Sequence, residues 1–132
     1  MPVTQTFTAS RNATWAPTLV YNYSGAELPL TGATIAMQLR LYPGQLGDAV
    51  LSLGAIPFVD ALASGTPGQE DEQRRLTLSP SVSPAALDPL PRSGEAGADT
   101  TFDFDIRIAY ADGVYEILSR GQFILSPGVT TA

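Results

Sequence analysis

With 132 residues, 44% of them hydrophobic, the chain has the length of one domain and enough apolar surface to fill a core. It has no cysteine and no histidine, and its net charge is −6 with arginine as the only basic residue, so disulfides and thiolate chemistry are excluded, the commonest general base and metal ligand are missing, and a phosphate backbone is an unfavourable partner. No apolar run approaches the ~20 residues that span a bilayer, and MPVTQTFTASR lacks the basic and apolar regions of a secretory signal, so neither membrane insertion nor export is expected.

Residues 1–10 set Val3, Gln5, Phe7 and Ala9 against Thr4, Thr6 and Thr8, the period of two that marks a strand. Arg11-Asn12-Ala13-Thr14 reads as a turn. Residues 15–23 predict a second strand, which Pro17 places at an edge or a bulge. Trp15 is assigned to the core. Tyr21 and Tyr23 are candidates for either core or interface, because strand aromatics fill a sandwich or anchor a partner. After the turns at Ser24-Gly25 and Thr31-Gly32, Ile35, Met37, Leu39 and Leu41 alternate with Ala36, Gln38 and Arg40 in a clear strand that Pro43-Gly44 stops. Residues 49–53 read as a short strand. Residues 54–75 predict a long flexible loop: SGTPG followed by QEDEQ has too little apolar area to offset the entropy of ordering it. Glu70, Asp71 and Glu72 in that run are candidate interface residues, ordered by a partner.

Leu76-Thr77-Leu78 resumes a strand. Ser83-Pro84 has the chemistry of an N-cap followed by the first helical position, and Pro89 and Pro91 limit the helix to a turn or two. Residues 93–99 form a second polar loop. In TFDFDIRIAYADGVYEIL, Phe102, Phe104, Ile106, Ile108 and Tyr110 alternate with Asp103, Asp105, Arg107 and Ala109, and the return runs through residues 114–118. Asp112-Gly113 between them predicts a two-residue type I′ hairpin turn, with Gly113 supplying positive φ. Residues 122–125 form a last strand. The result is an all-β chain of about seven strands with at most one short helical turn, a pattern that a two-sheet antiparallel sandwich of immunoglobulin type satisfies. Residues 1–132 are read as one such domain.

Chemistry is sparse. Asp103 and Asp105, with Asp99 and Asp112 nearby in sequence, carry the oxygen donors that calcium prefers. Their i, i+2 spacing is what any wet strand face imposes, no Asp-x-Asp-x-Asp-Gly loop is present, and Arg107 on the same face offers Asp105 a partner. No metal or cofactor is therefore assigned. The serines have no histidine partner and no G-x-S-x-G elbow, and nothing marks an acid pair such as Glu27 and Glu116 for glycoside chemistry. A non-enzymatic protein is expected.

Two groups of residues carry a resemblance. The first is Asn12-Ala13-Thr14-Trp15 with Gly25-Ala26-Glu27-Leu28-Pro29-Leu30-Thr31-Gly32 and the alternating strand to Arg40. The second is Phe104-Asp105-Ile106-Arg107, Asp112-Gly113-Val114 and the closing Arg120-Gly121-Gln122-Phe123-Ile124-Leu125-Ser126-Pro127-Gly128-Val129-Thr130. Leu76-Thr77-Leu78 and Leu87-Asp88-Pro89-Leu90-Pro91 occupy the middle places. This resembles the small tail- and baseplate-associated structural proteins of tailed bacteriophages and prophages, over most of the chain outside residues 43–75. The resemblance implies an immunoglobulin-like virion component that works by assembly with other phage structural proteins, in several copies arranged as a symmetric ring; the net charge of −6 leads us to expect no nucleic acid among its partners. A capsid decoration protein, also a small acidic β-rich virion component, is one alternative; a carbohydrate- or protein-binding adhesion module is the other, although it would be expected to carry an export signal.

Overall fold

The computed structural model describes residues 3–92 and 94–129. Met1 and Pro2 of the expected first strand, Ser93 of the second polar loop and Thr130 of the closing motif lie outside the described residues. The alternating segments form β1 (Val3–Ser10), β2 (Leu19–Ser24), β3 (Thr34–Arg40), β4 (Leu51–Leu53), β5 (Phe58–Ser64), β6 (Gln73–Leu78), β7 (Thr100–Ala109) and β8 (Tyr115–Ser126), with one short helix, α1 (Pro84–Leu87), between β6 and β7. The expected cap holds: Ser83 Oγ accepts from the Ala86 amide and Pro84 opens the helix.

The strands divide into a five-stranded sheet, ordered β1-β8-β7-β3-β4, and a three-stranded sheet, ordered β2-β6-β5. One apolar cluster joins them. The first sheet supplies Ile35, Met37 and Leu39 from β3, Phe102, Phe104, Ile106 and Ile108 from β7, and Phe123 and Leu125 from β8; the second supplies Leu19, Tyr21, Leu76 and Leu78. Trp15 is buried as expected, and its ring meets Phe123 edge-on at 5.0 Å and Phe7 at 5.4 Å. Side chains of this kind contribute roughly 1.5–3 kcal/mol each on burial, so the alternation that defines the strands also supplies the stability of the fold.

Four expectations are corrected. Residues 54–75 are not one loop: β5 and the start of β6 lie within them, leaving a short connection across residues 54–57 and a turn across residues 65–72. β5 is an edge strand, held by backbone pairing to β6 and bearing exposed Val59 and Leu62, so its sequence lacks the apolar period of a buried strand. The pairing is not wholly antiparallel, because β1 runs parallel to β8 from Val3 opposite Ser119 to Ser10 opposite Ser126. The segments expected at residues 114–118 and 122–125 are one strand, β8, continuous through Ser119-Arg120-Gly121. The β7–β8 turn is not type I′. Gly113 has φ +89°, no non-glycine residue among those described has positive φ, and the Gly113 amide donates to Tyr110 O while the Tyr110 amide donates to Val114 O. That is a type I turn over residues 110–113 closed by a left-handed glycine, the three-residue hairpin, and it leaves Asp112 in an ordinary conformation. Asp112 Oδ1 instead accepts from the Val114 amide.

Pro17 acts as its chemistry suggests. It separates Trp15, which forms an isolated bridge with Val82, from β2, which begins at Leu19 on the edge of its sheet.

Candidate functional site

The candidate interface residues divide between the fold's interior and its surface. Tyr21 projects into the space between the sheets, where its hydroxyl donates to Gln5 Oε1 at 2.6 Å; Ser119 Oγ donates to the same oxygen at 2.5 Å. This small network links β1, β2 and β8, and burial pushes the Tyr21 phenol above its ordinary pKa. Tyr21 is thus a core residue.

Tyr23, one pleat further along the same face, is half-buried and donates to Asp60 Oδ2 at 2.7 Å. Asp60 comes from β5 and faces inward, with 6% of its side chain exposed. Between them lies Arg74 of β6. Its guanidinium is 3.0 Å from Glu72 Oε2, 3.5 Å from Asp60 Oδ2 and 3.9 Å from Glu27 Oε2. Burial opposes the charge of Arg74, yet hydrogen bonding to Glu72 and Tyr23 and the charges of Asp60 and Glu27 hold its pKa above the ordinary value. Glu72 is itself buried and accepts from the Gly68 amide at 3.0 Å; that bond, opposed by burial and reinforced by Arg74, holds its carboxyl below the usual range. Glu72 therefore closes the β5–β6 turn from inside and is buried, where the sequence predicts exposure. Asp60 Oδ1 and Arg74 Nε lack hydrogen bonds among the described residues. Glu70 and Asp71 remain at the surface, Asp71 Oδ1 accepting from the Thr66 amide at 3.3 Å.

The outer face of the five-stranded sheet bears the aspartates considered for calcium. Asp103 lies across from Arg40 on β3, and Asp105 is flanked by Gln38 on β3 and Arg120 on β8. Cross-strand neighbours of opposite charge stabilise a wet face and leave no excess of negative charge for a cation. Among the described residues no group of three or more acidic side chains is placed to hold a metal ion. Arg107 does not pair with Asp105. A bulge between Ile106 and Arg107 shifts the register of β8, and the Arg107 guanidinium lies 4.3 Å from the centre of the Tyr115 ring. A concavity of about 550 Å³ opens here, lined by Thr4, Gln38, Arg40, Asp103, Asp105 and Arg120 among others. Arg40 is turned to the β3–β4 connection, donating to Gln45 O at 3.0 Å and Gly47 O at 2.7 Å. The concavity holds no nucleophile activated by a base, so what it offers is hydrogen bonding and balanced charge.

Two positions not read as site residues from the sequence, Arg11 and the Gly121 of the closing motif, do more to hold the fold together. Arg11, expected in a plain turn, is 2% exposed, and its guanidinium donates to the carbonyls of Leu90 and Pro91 at 2.7 Å, Asp88 at 2.9 Å and Leu87 at 3.3 Å. Burial, and secondarily the charge of Arg92, lowers its pKa while Asp88 opposes the change. It fastens the end of β1 to the residues that follow α1. Gly121 is the second: an added Cβ would lie 1.8 Å from Gln5 O, so only glycine lets β1 pass. A glycine interrupting an apolar strand is the one sequence signal for such an approach.

Among the described residues no helix is long and apolar enough to cross a membrane. No protein-family model matches the chain, and no curated protein matches it.

Proposed function

We propose that this chain is a structural, non-enzymatic component of a tailed-phage virion, located at the tail tip or baseplate and acting through protein–protein assembly in several copies. The observation that carries the reading is the way the two motif groups meet. Asn12 belongs to the first group and Gly128 to the second, and the Asn12 side chain packs so close to Gly128 that a Cβ there would fall 2.6 Å from Asn12 Cγ. Next to them the Arg11 amide donates to Ser126 O at 3.0 Å. Segments at opposite ends of the sequence thus form one tertiary unit, which supports treating their resemblance as a single signature. Its residues are turn and packing residues, in keeping with a part that assembles and does not catalyse.

The immunoglobulin-like assignment belongs to the same proposal. Its support is that β2-β6-β5 can be read as strands B-E-D and β8-β7-β3 as G-F-C, with β4 beside C where the variable type adds a strand and β1 alongside the last strand instead of in the B-E-D sheet. In this reading the copies form a symmetric ring among other phage structural proteins, and no nucleic acid, membrane or cofactor takes part.

The test is fractionation of purified particles into heads and tails, with mass spectrometry of each. Recovery in tails at several copies per particle is the expected result. Recovery in heads alone would replace the tail assignment by capsid decoration, and absence from particles would overturn the virion reading.

A further inference from the structure

The two sheets end in four edges, and two are guarded. β4 has only three residues. β5 turns Asp60 inward in mid-strand and breaks register between Leu62 and Ser64, two devices that disfavour strand addition. β2 and β1 both lack charge, proline and glycine and pair with their neighbours without any shift of register, but β2 has six residues and β1 has eight, so β1 offers the longer edge. Among the described residues no strand pairs with its other edge.

We propose that the free edge of β1 binds the β1 edge of a second copy of this chain, antiparallel, across a two-fold axis normal to the sheet. Three observations select that occupant. A two-fold in this direction keeps the core faces of both copies on the same side and joins two five-stranded sheets into one continuous sheet. The strand is electrically neutral in a chain of net charge −6, so it is a place where two copies meet without apposing like charges. The inward-facing Gln5, Phe7 and Ala9 are only half-buried, whereas Phe123 and Leu125 of β8 and Phe102 and Phe104 of β7 are buried, and the same residues of a second copy would extend the core over β1. With Thr6 opposite Thr6 of the second copy, Thr4 opposes Thr8, so that every exposed threonine of β1 meets a threonine, a favourable cross-strand pair. The inference rests on the reading of the chain as an assembly subunit, and it adds that this contact joins two rings back to back, because an isologous two-fold does not propagate around one ring.

Sedimentation equilibrium of the full chain over a concentration series tests it. The wild type is expected to dimerise. Thr6→Lys and Thr6→Glu each place like charges opposite one another, and each is expected to weaken the dimer at least about tenfold. Mixing the two variants in equal amounts is expected to restore dimerisation, because the opposed charges then attract. Thr6 is exposed and points away from the core, and Thr8→Lys, with far-UV circular dichroism on every variant, separates loss of association from loss of fold. A wild type that stays monomeric throughout the series overturns the proposal, as does a dimer that both variants retain. Particle fractionation reports separately on the virion reading: a chain found in tails but monomeric in solution defeats this inference alone.

Discussion

Replacing Gly121 with alanine forces a choice between two strands. Gly121 lies opposite Gln5 where β8 passes β1, its φ is +152°, and a Cβ would fall 1.8 Å from Gln5 O and 2.9 Å from Gln5 C. Ordinary contact needs well over 3 Å, so β1 must retreat by about 1.5 Å or β8 must deform. A displacement of that size breaks the local β1–β8 hydrogen bonds, whose tolerance is a few tenths of an ångström. It also disturbs the residue, Gln5, whose side-chain oxygen receives both Tyr21 and Ser119. Overpacking of this kind costs about 1–3 kcal/mol, and the unfavourable φ adds about 1 kcal/mol. The expected loss is therefore roughly 2–4 kcal/mol. Gly113→Ala is the control: Gly113 has φ +89° but no atom within 4 Å of the added Cβ, so only the backbone contribution of about 1 kcal/mol remains. Urea unfolding of both variants measures the difference, and amide exchange should show β1 released first in Gly121→Ala. If Gly121→Ala costs no more than Gly113→Ala, the close approach of β1 to β8 is not what requires glycine there.

Arg11→Met removes the guanidinium donor from the buried Leu90 carbonyl, while Leu87 O keeps the Leu90 amide, and should lower stability by about 1–3 kcal/mol; Arg11→Lys should recover only part, because one ammonium cannot span the carbonyls that a guanidinium fork reaches; thermal unfolding of the pair decides. The Glu72 carboxyl lies below its ordinary value of 4.5, so its contribution to stability is present above that value and lost as pH falls through the folded-state value. The stability gap between wild type and Glu72→Gln, measured by denaturant unfolding, should accordingly be full at neutral pH and close on acidification; a gap independent of pH would show that Glu72 acts as a neutral hydrogen-bond acceptor. Trypsin should cut first after Arg92, which is exposed outside any strand, and spare Arg74 and Arg75 within β6. Early cleavage after Arg75, read by mass spectrometry, would mean that β6 opens readily.

The strands legible in the sequence are those whose two faces see different solvents. β3 and β7 alternate cleanly because each is central in its sheet, buried on one side and wet on the other, and the Ser83-Pro84 cap is readable because its chemistry is local. β5 is hidden because an edge strand needs partners for its backbone more than it needs apolar side chains. β8 reads as two pieces because its middle, Ser119-Arg120-Gly121, serves a strand from the far end of the sequence. The candidate interface fails at Glu72, where polarity does not mean exposure. Glu72 and Arg74 are buried because they satisfy one another and the Gly68 amide, and no pattern within the run QEDEQ specifies a partner two residues beyond the last acid. Arg11 is illegible for the same reason: its acceptors are backbone carbonyls, which every residue has.

The parallel pairing of β1 with β8 also fixes an order of events. β1 is synthesised before β2 to β7 and its partner β8 after them, so Val3 has no partner until Ser119 has been made. At typical synthesis rates that interval is on the order of ten seconds. During it, a neutral, threonine-rich strand is free on both edges while the rest of the larger sheet is still being translated. Closure then spans nearly the whole chain, the kind of long-range contact that slows folding. The nascent chain consequently passes its most adhesive stage before β8 is made, and chains made side by side on one message have the opportunity to exchange β1 before each closes its own sheet.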